Sequence, residues 1–331
     1  MMHHPLKKSS GIALVTVLLV VAAATIAAVS ISSHLQVDIR RTENLLRSDQ
    51  AWLHAVGVES WAKGVLASDF KEDHDESLEV DSLDEEWAGA IADTVEGGEV
   101  AGKIIDQQGL FNINNLVVQK AGVKETVLLI PSIIDIDRFK RLLTILELDE
   151  LQINDLVEAL LDWLDEDALI TGAGGAEDDY YQALEPPYSA ANRLMAHHSE
   201  LLLVKGITPE IYKKLAPLIT ALPKHVDLNV NTAAQEVLQS LYKGLDEKGV
   251  AHLLRKIEDA PFETLAEFKV HPAVSGLEVE KNSIGIGVKS SYFKVRGSAT
   301  VGKARASIAS LAERTNGGEI KIIHRMREER F

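Results

Sequence analysis

The sequence predicts an α+β fold: a long N-terminal transmembrane and amphipathic helix packed on a small antiparallel β-sheet, which is split by a large all-α insertion. An uncharged run from Gly11 to Ile31 passes without a break into an amphipathic stretch. Between residues 123 and 272, five segments carry apolar residues at three- and four-residue spacing, the mark of packed helices. Strand-like segments flank that helical block on both sides, around 100–105 and again from 290 to 328.

Composition sets the outer bounds. A chain of 331 residues with 46% hydrophobic content is long enough to bury a core beyond the apolar run. A formal net charge of -16 argues against a nucleic-acid partner, because phosphate neutralisation needs concentrated Lys and Arg. Cysteine is absent, which removes disulfides, thiolate nucleophiles and Cys-ligated zinc.

The run from Gly11 to Ile31 is 21 residues long. As a helix it covers roughly 32 Å, the thickness of a hydrocarbon core of about 30 Å. The apolar core of a cleavable secretory signal is shorter, about 7–15 residues, although Ala22-Ala23-Ala24 offers a small-residue peptidase site. Lys7 and Lys8 favour a cytoplasmic N-terminus with the rest of the chain exported. The stretch SSHLQVDIRRTENLLRSDQAWLHAVGVESWAKGVLA contains no proline, and Leu35, Ile39, Leu46, Leu53 and Val56 form an apolar stripe interrupted at Thr42 and Asp49. One helix is therefore expected from Ile12 to about Ala67, crossing the membrane over 12–32 and roughly 84 Å long. An anchor helix that simply runs on into its own domain fits this continuity too.

The acidic segment from Asp69 to Trp87 reads as a solvated linker with a short helix around Asp84 to Ile91. EVAGKIIDQQGLFNINNL then gives a β-rich segment and a polar turn. In the helical block Asp135, Thr208 and Thr232 are the expected N-caps. SSYFKVRGSATVG, KARASIASLAER and EIKIIHRMRE read as three strands, the last two joined by a hairpin at Asn316-Gly317-Gly318. Residues 68–122 and 273–331 are thus expected to form one α/β domain, with 123–272 inserted into it.

The chemically richest stretch is DWLDEDALITGAGGAEDDYY. Asp162, Asp165 and Asp167 close an amphipathic helix, and the turn Gly172-Ala173-Gly174-Gly175 brings Glu177, Asp178 and Asp179 back toward them. Oxygen-only ligands on a loop suit Ca²⁺, whereas zinc asks for His or Cys. The EF-hand spacing is absent, and a solvated acidic loop is the competing reading. His197-His198 offers imidazoles, but neighbours on a helix diverge by about 100°, so a loop or helix end suits them better than a shared ion. No nucleophile motif such as G-x-S-x-G is present, and an enzyme is not expected.

A short basic leader ending in glycine, an uncharged helix and an amphipathic continuation resemble the type IV pilin-like superfamily. GIALVTVLLVVA, DQQGLFNINNL, LLDWLDED, GAEDDYY, PPYSAANRLM, SELLLVKGI and LNVNTAAQEVL, in this order over most of the chain, resemble its K-type minor pseudopilins of type II secretion. LLLVKGITPEIYKKLAPLI with LNVNTAAQEVL is also similar to SAM-like or helix-hairpin-helix units, without a basic face for DNA. The resemblance implies that prepilin peptidase cuts between Gly11 and Ile12, with methylation of the new amine as an option. It implies a single-pass protein of the bacterial inner membrane with a periplasmic head. Most superfamily members carry glutamate at the fifth mature position, and here that position is Thr16.

The implied role is a cap at the tip of the pseudopilus that initiates its assembly. The implied partners are the I and J minor pseudopilins, then the H type and the major G type, the inner-membrane assembly platform, the secretin and exported substrates. The resemblance also implies calcium, one ion or two, at Asp162, Asp165, Asp167, Glu177 and Asp178. Alternative readings are a minor pilin of a type IV pilus or competence system, a membrane-anchored periplasmic protein-binding domain, and a membrane-tethered metallohydrolase.

Overall fold

The computed structural model describes residues 10–76, 78–121, 127–277 and 284–328. Most of the expected leader and the boundary at Val123 lie outside these residues. Helix α1 (Ser10–Glu76) has 67 residues, about 100 Å of continuous helix. It is exposed along its first half and begins to bury a face at Ala51, followed by Ala55, Val58, Ala62 and Leu66. These spacings of three and four put one stripe against the sheet.

After α1 the chain forms β1 (Ala90–Val95) and β2 (Gly98–Asp106), an antiparallel pair. It leaves the sheet at Asp106 and builds a helical unit before returning. That unit opens with β3 (Phe111–Asn112) and the hairpin β4 (Val117–Ala121) and β5 (Val127–Pro131). Helices α2 (Ile133–Ile145), α3 (Glu150–Leu164), α4 (Asp178–Tyr181) and α5 (Pro209–Leu215) follow. The short strand β6 (Ile219–Thr220) pairs in parallel with β3. Next come β7 (Leu228–Asn229), α6 (Gln235–Ser240), α7 (Glu247–Asp259), α8 (Leu265–Val270) and β8 (Ile286–Gly287), which pairs in parallel with β7. One core, including Phe111, Ile113, Phe139, Trp163, Tyr242 and Phe268, fills the unit.

The chain then completes the sheet with β9 (Tyr292–Val301), β10 (Ala304–Arg314) and β11 (Ile320–Arg327). The order is β1-β2-β9-β10-β11, every neighbouring pair antiparallel. Thus β2 and β9 lie side by side although the whole helical unit separates them in sequence. The predicted hairpin joins β10 to β11, and Gly318 takes the positive φ of 79° that its tight turn requires.

Two glycines set how closely α1 lies on the sheet. Gly102 and Gly297 face each other across β2 and β9. A Cβ on Gly102 would stand 2.5 Å from Val58 Cγ1, and one on Gly297 would stand 2.6 Å from the Ala55 carbonyl oxygen. The pair forms a notch that receives Val58, and the buried alanines on either side keep the helix backbone near the strands.

The acidic segment departs from expectation. α1 runs nine residues past Ala67, to Glu76. Val80, Asp81, Ser82 and Trp87 are buried instead of solvated. The cause is Arg314 at the end of β10, itself 6% exposed. Its Nη1 donates to Asp69 Oδ2 at 2.8 Å, and its Nη2 donates to both Asp81 oxygens at 2.5 Å and to the Ser290 carbonyl at 2.7 Å. The expected helix around Asp84 to Ile91 shrinks to a 3₁₀ turn over Glu86–Ala88, because β1 claims the chain from Ala90.

The junction continues into the helical unit. Asn229 Nδ2 donates to the Asp81 carbonyl at 3.0 Å and to Asp106 Oδ2 at 3.2 Å. Asp106 Oδ2 also accepts from Ser290 Oγ at 2.7 Å and from Thr232 Oγ1 at 2.5 Å. Thr232 is therefore spent on this network and caps no helix, since α6 starts after Ala234 without a side-chain cap. Thr208 caps α5 as expected. At α2 the cap is Ser132, while Asp135 lies within the first turn, paired with Arg138 at 3.0 Å and with His225 at 3.1 Å.

Asp69, Asp73, Asp81 and Glu85 crowd around the single guanidinium of Arg314. Burial, followed by the Asp69 charge, pushes Glu85 up to about 8 and Asp73 up to about 6. Groups raised in this way contribute stability below their ordinary carboxylate range and lose it as pH rises through the shifted values. Above the histidine range, the melting temperature should therefore fall as pH is raised from 7 to 8.5 at fixed ionic strength, and Glu85→Gln should flatten that slope. A variant whose melting temperature tracks the wild type across this range would show that Glu85 carries no proton there.

Candidate metal-binding loop

The loop grows out of the last turn of α3. Apolar residues on α3 bury one face, and this carries Asp162 inward until it is fully buried. Its Oδ1 accepts from Thr171 N at 2.9 Å, which folds the returning chain against the helix. Its Oδ2 has no hydrogen-bond donor. Gly175 must lack a side chain here, because a Cβ would stand 2.3 Å from Asp162 Oδ2.

Asp165 is the C-cap residue of α3 and Glu177 the N-cap residue of α4, so two helix ends converge. One oxygen each from Asp165, Asp167 and Glu177 lie within 4.8 Å of one another. Asp165 Oδ1 and both Glu177 carboxylate oxygens are buried without a donor. Burial, then Asp167 and Asp162, raises Asp165 to about 6. Burial, then Asp162 and its neighbours, raises Glu177 to about 7. Among the described residues no salt bridge reaches any of these four carboxylates. Buried carboxylate oxygens without donors are costly, and the arrangement fits a hard cation that takes oxygen ligands.

Asp178 has a different employment. Its Oδ1 accepts from Ala190 N at 2.8 Å and its Oδ2 from Gln182 Nε2 at 3.2 Å, while its charge adds to the repulsion at Glu177. Asp179 is exposed. Asp167 Oδ1 accepts from Leu169 N at 2.7 Å, so the turn itself orients it.

Three contributors escaped the sequence reading. Asn192, at a φ of 45°, donates from Nδ2 to the Asp167 carbonyl at 3.2 Å, leaving its own Oδ1 buried without a partner. Glu158 accepts from Gly174 N at 2.7 Å. Lys205 Nζ donates to the carbonyls of Gly174 and Gly175, each at 3.0 Å. Glu158 is one helical turn before Asp162, a spacing readable from the sequence. Asn192 and Lys205 come from distant loops and left no local signal.

His197 and His198 stand at the start of a 3₁₀ turn, with ring centroids 4.2 Å apart. The divergence expected within a helix does not apply, because His197 is the cap residue.

Residues 109–224 and 228–289 match family models, both described as type II secretion system, protein K. The type II secretion system protein K of Aeromonas hydrophila is 34% identical, covering 97% of this chain and 97% of its own length. That of Pseudomonas aeruginosa is 34% identical, covering 96% of this chain and 92% of its own. The crystal structure of the GspK-GspI-GspJ complex from enterotoxigenic Escherichia coli contains a similar fold, with a TM-score of 0.75 at 23% identity over 88% of this chain and 100% of that one. With a sheet interrupted by a helical unit, a long exposed apolar helix and relatives alike over nearly their full length, the chain belongs to the type II secretion system protein K family.

Proposed function

We propose that this chain caps the tip of the periplasmic pseudopilus and initiates its assembly, as a minor pseudopilin with no catalytic role. The observation that carries this reading is the course of α1. Ile12, Leu19 and Ile26 are each at least 68% exposed, so the uncharged end needs a lipid environment. Leu35, Ile39, Leu46 and Leu53 extend an exposed apolar stripe beyond the span and toward the head. Parallel helices of other pseudopilins would cover that stripe, and the relative solved with GspI and GspJ supports the I and J types as neighbours.

The head is oriented along the same helix. Arg47 lies beside Gly302, Val58 at the glycine notch and Asp69 at Arg314, so successive turns of α1 climb β9 and β10 away from the membrane. The helical unit departs from Asp106 and rejoins at Tyr292, the distal end of those strands. A subunit stacking above would meet this unit, which suits a position with nothing above it. Thr16 Oγ1 donates to the Ala13 carbonyl at 2.9 Å, so this side chain is satisfied within its own helix.

In this reading the N-terminus is cytoplasmic, the membrane is the bacterial inner membrane, and prepilin peptidase cuts before Ile12. Exported substrates, the secretin, the assembly platform and the H and G types would meet the tip or follow it. N-terminal sequencing of membrane-extracted protein should give a chain starting at Ile12 when prepilin peptidase is present and the uncut chain when it is absent. A chain that starts at Met1 under both conditions would overturn the pseudopilin processing.

The same reading places calcium in the α3–α4 loop, held by Asp162, Asp165, Asp167 and Glu177, with Asp178 supporting. Ion binding to the native state adds stability by mass action, about 2.7 kcal/mol at a free concentration of 100 times Kd. Calcium should raise the melting temperature of the full chain, and Asp162→Asn should abolish the rise. Glu177→Gln should raise the melting temperature in chelator while removing the response to calcium, because it relieves repulsion and deletes a ligand together. A wild-type protein indifferent to millimolar calcium would sink the metal assignment and leave the assembly role standing.

A further inference from the structure

A second polar site lies at the seam between the helical unit and the sheet. A cavity of about 40 Å³ is lined on one side by His197, His198 and Thr220, and on the other by Lys294, His324 and Met326. Among the described residues no Asp or Glu lines it. Its volume exceeds the roughly 10–15 Å³ that a single water needs.

Two carboxylates next to lining residues are already engaged. Glu328 accepts from Arg296 at 2.7 and 2.9 Å and pairs with Lys294 at 3.5 Å. Glu200 accepts from the backbone of Ala196 at 2.7 Å and His197 at 3.3 Å, and pairs with Arg193 at 3.5 Å. Tyr212, on α5, meets His198 Nδ1 at 3.1 Å. The lining itself therefore carries one ammonium and three imidazoles, with no carboxylate among the described residues.

His197 Nδ1 meets Ser199 Oγ at 2.8 Å and Ser199 N at 3.2 Å, so the turn itself engages this nitrogen and Nε2 is the atom left for a ligand. A lining with an ammonium and no carboxylate suits an anion and not a metal cation. Lys294 supplies that ammonium beside His197. We propose that this seam cavity binds a small oxyanion of the sulfate, phosphate or carboxylate class, held by Lys294 and the imidazoles of His197, His198 and His324.

Charge-assisted hydrogen bonds from several donors in a partly enclosed site are what such an anion needs. Because Lys294 and His324 belong to the sheet and the two other histidines to the helical unit, the bound anion also bridges the two halves of the head. Burial lowers all three histidines, followed by Lys294 for His324, by Lys294 and His324 for His197, and by His197 and Lys294 for His198, which falls to about 4. A bound anion opposes these causes and draws protons onto the imidazoles, so its affinity rises as pH falls.

Sulfate keeps its charge between pH 5.5 and 8 and is the cleaner probe. Isothermal titration of the full chain in detergent, at constant ionic strength, should show one sulfate per chain, tightening about threefold or more per pH unit on acidification. Lys294→Met with His324→Gln should abolish binding, while Glu328→Gln, which releases Lys294, should tighten it; the gain separates a binding role from a folding defect. Acetate in a parallel titration distinguishes the sources: tighter sulfate points to a free inorganic oxyanion, tighter acetate to a carboxylate. No saturable sulfate binding at pH 5.5, pH-independent affinity, or wild-type affinity in the Lys294/His324 double variant would overturn the proposal.

Discussion

The head depends on one buried guanidinium. Arg314 holds α1 through Asp69, the segment after α1 through Asp81, and the entry to β9 through the Ser290 carbonyl. A guanidinium buried this deeply requires its partners, and removing one side of such a pair costs about 3–5 kcal/mol. The fork geometry matters, since the planar donors of Arg reach Asp69 and Asp81 simultaneously in a way a lysine ammonium would not. Through the Asp81 carbonyl and Ser290 the same network reaches Asp106, Asn229 and Thr232, and so fixes the helical unit on the sheet.

A second constraint works with it. The glycine pair Gly102 and Gly297 sets the distance of α1 from the sheet, and Arg314 sets where along the helix the contact ends. Close approach at the notch leaves little freedom for the helix to roll or slide, because Val58 is held between two strands. Glu59, the next residue, faces β10 and β11, where it meets Ser310 and receives Arg325 at 2.5 Å. The direction of the exposed apolar helix is in this way transmitted to the head by packing rather than by a linker.

Much of this was legible because it is local. The uncharged run, the amphipathic continuation, the Asn-Gly-Gly hairpin and the acidic pairs flanking a glycine turn are patterns that a single segment imposes on itself. What escaped is non-local. Asp69, Asp73, Asp81 and Glu85 read as solvated because nothing near them in sequence announces Arg314, more than 200 residues later. Asp135 and Thr232 read as helix caps by residue type, yet a buried arginine claims one and a buried carboxylate the other. Strand β1, AIADTV, is small and polar on an edge, so its periodicity is faint, and pairing with β2 supplies what propensity does not. The asparagines of FNINN and LNVN follow the same rule: Asn114 bonds the Met195 and Leu222 carbonyls, and Asn231 clamps Phe262 through both its amide atoms.

The two carboxylate clusters of the head answer one electrostatic problem in opposite ways. At the junction, Asp69, Asp81 and Glu85 bring oxygens within 4.8 Å, as Asp165, Asp167 and Glu177 do in the loop. The junction contains its own cation, and the oxygens of Asp81 are all engaged by Arg314 and the Ser290 amide. In the loop, among the described residues, no cation pairs with the carboxylates, since Lys205 is spent on the Gly174 and Gly175 carbonyls, and four carboxylate oxygens are buried without donors. An internal cation is permanent and independent of the medium, which suits the joint that must carry the helix direction. A loop without such a partner keeps the repulsion among its carboxylates, so two clusters of like spacing differ in whether the chain itself supplies the opposing charge.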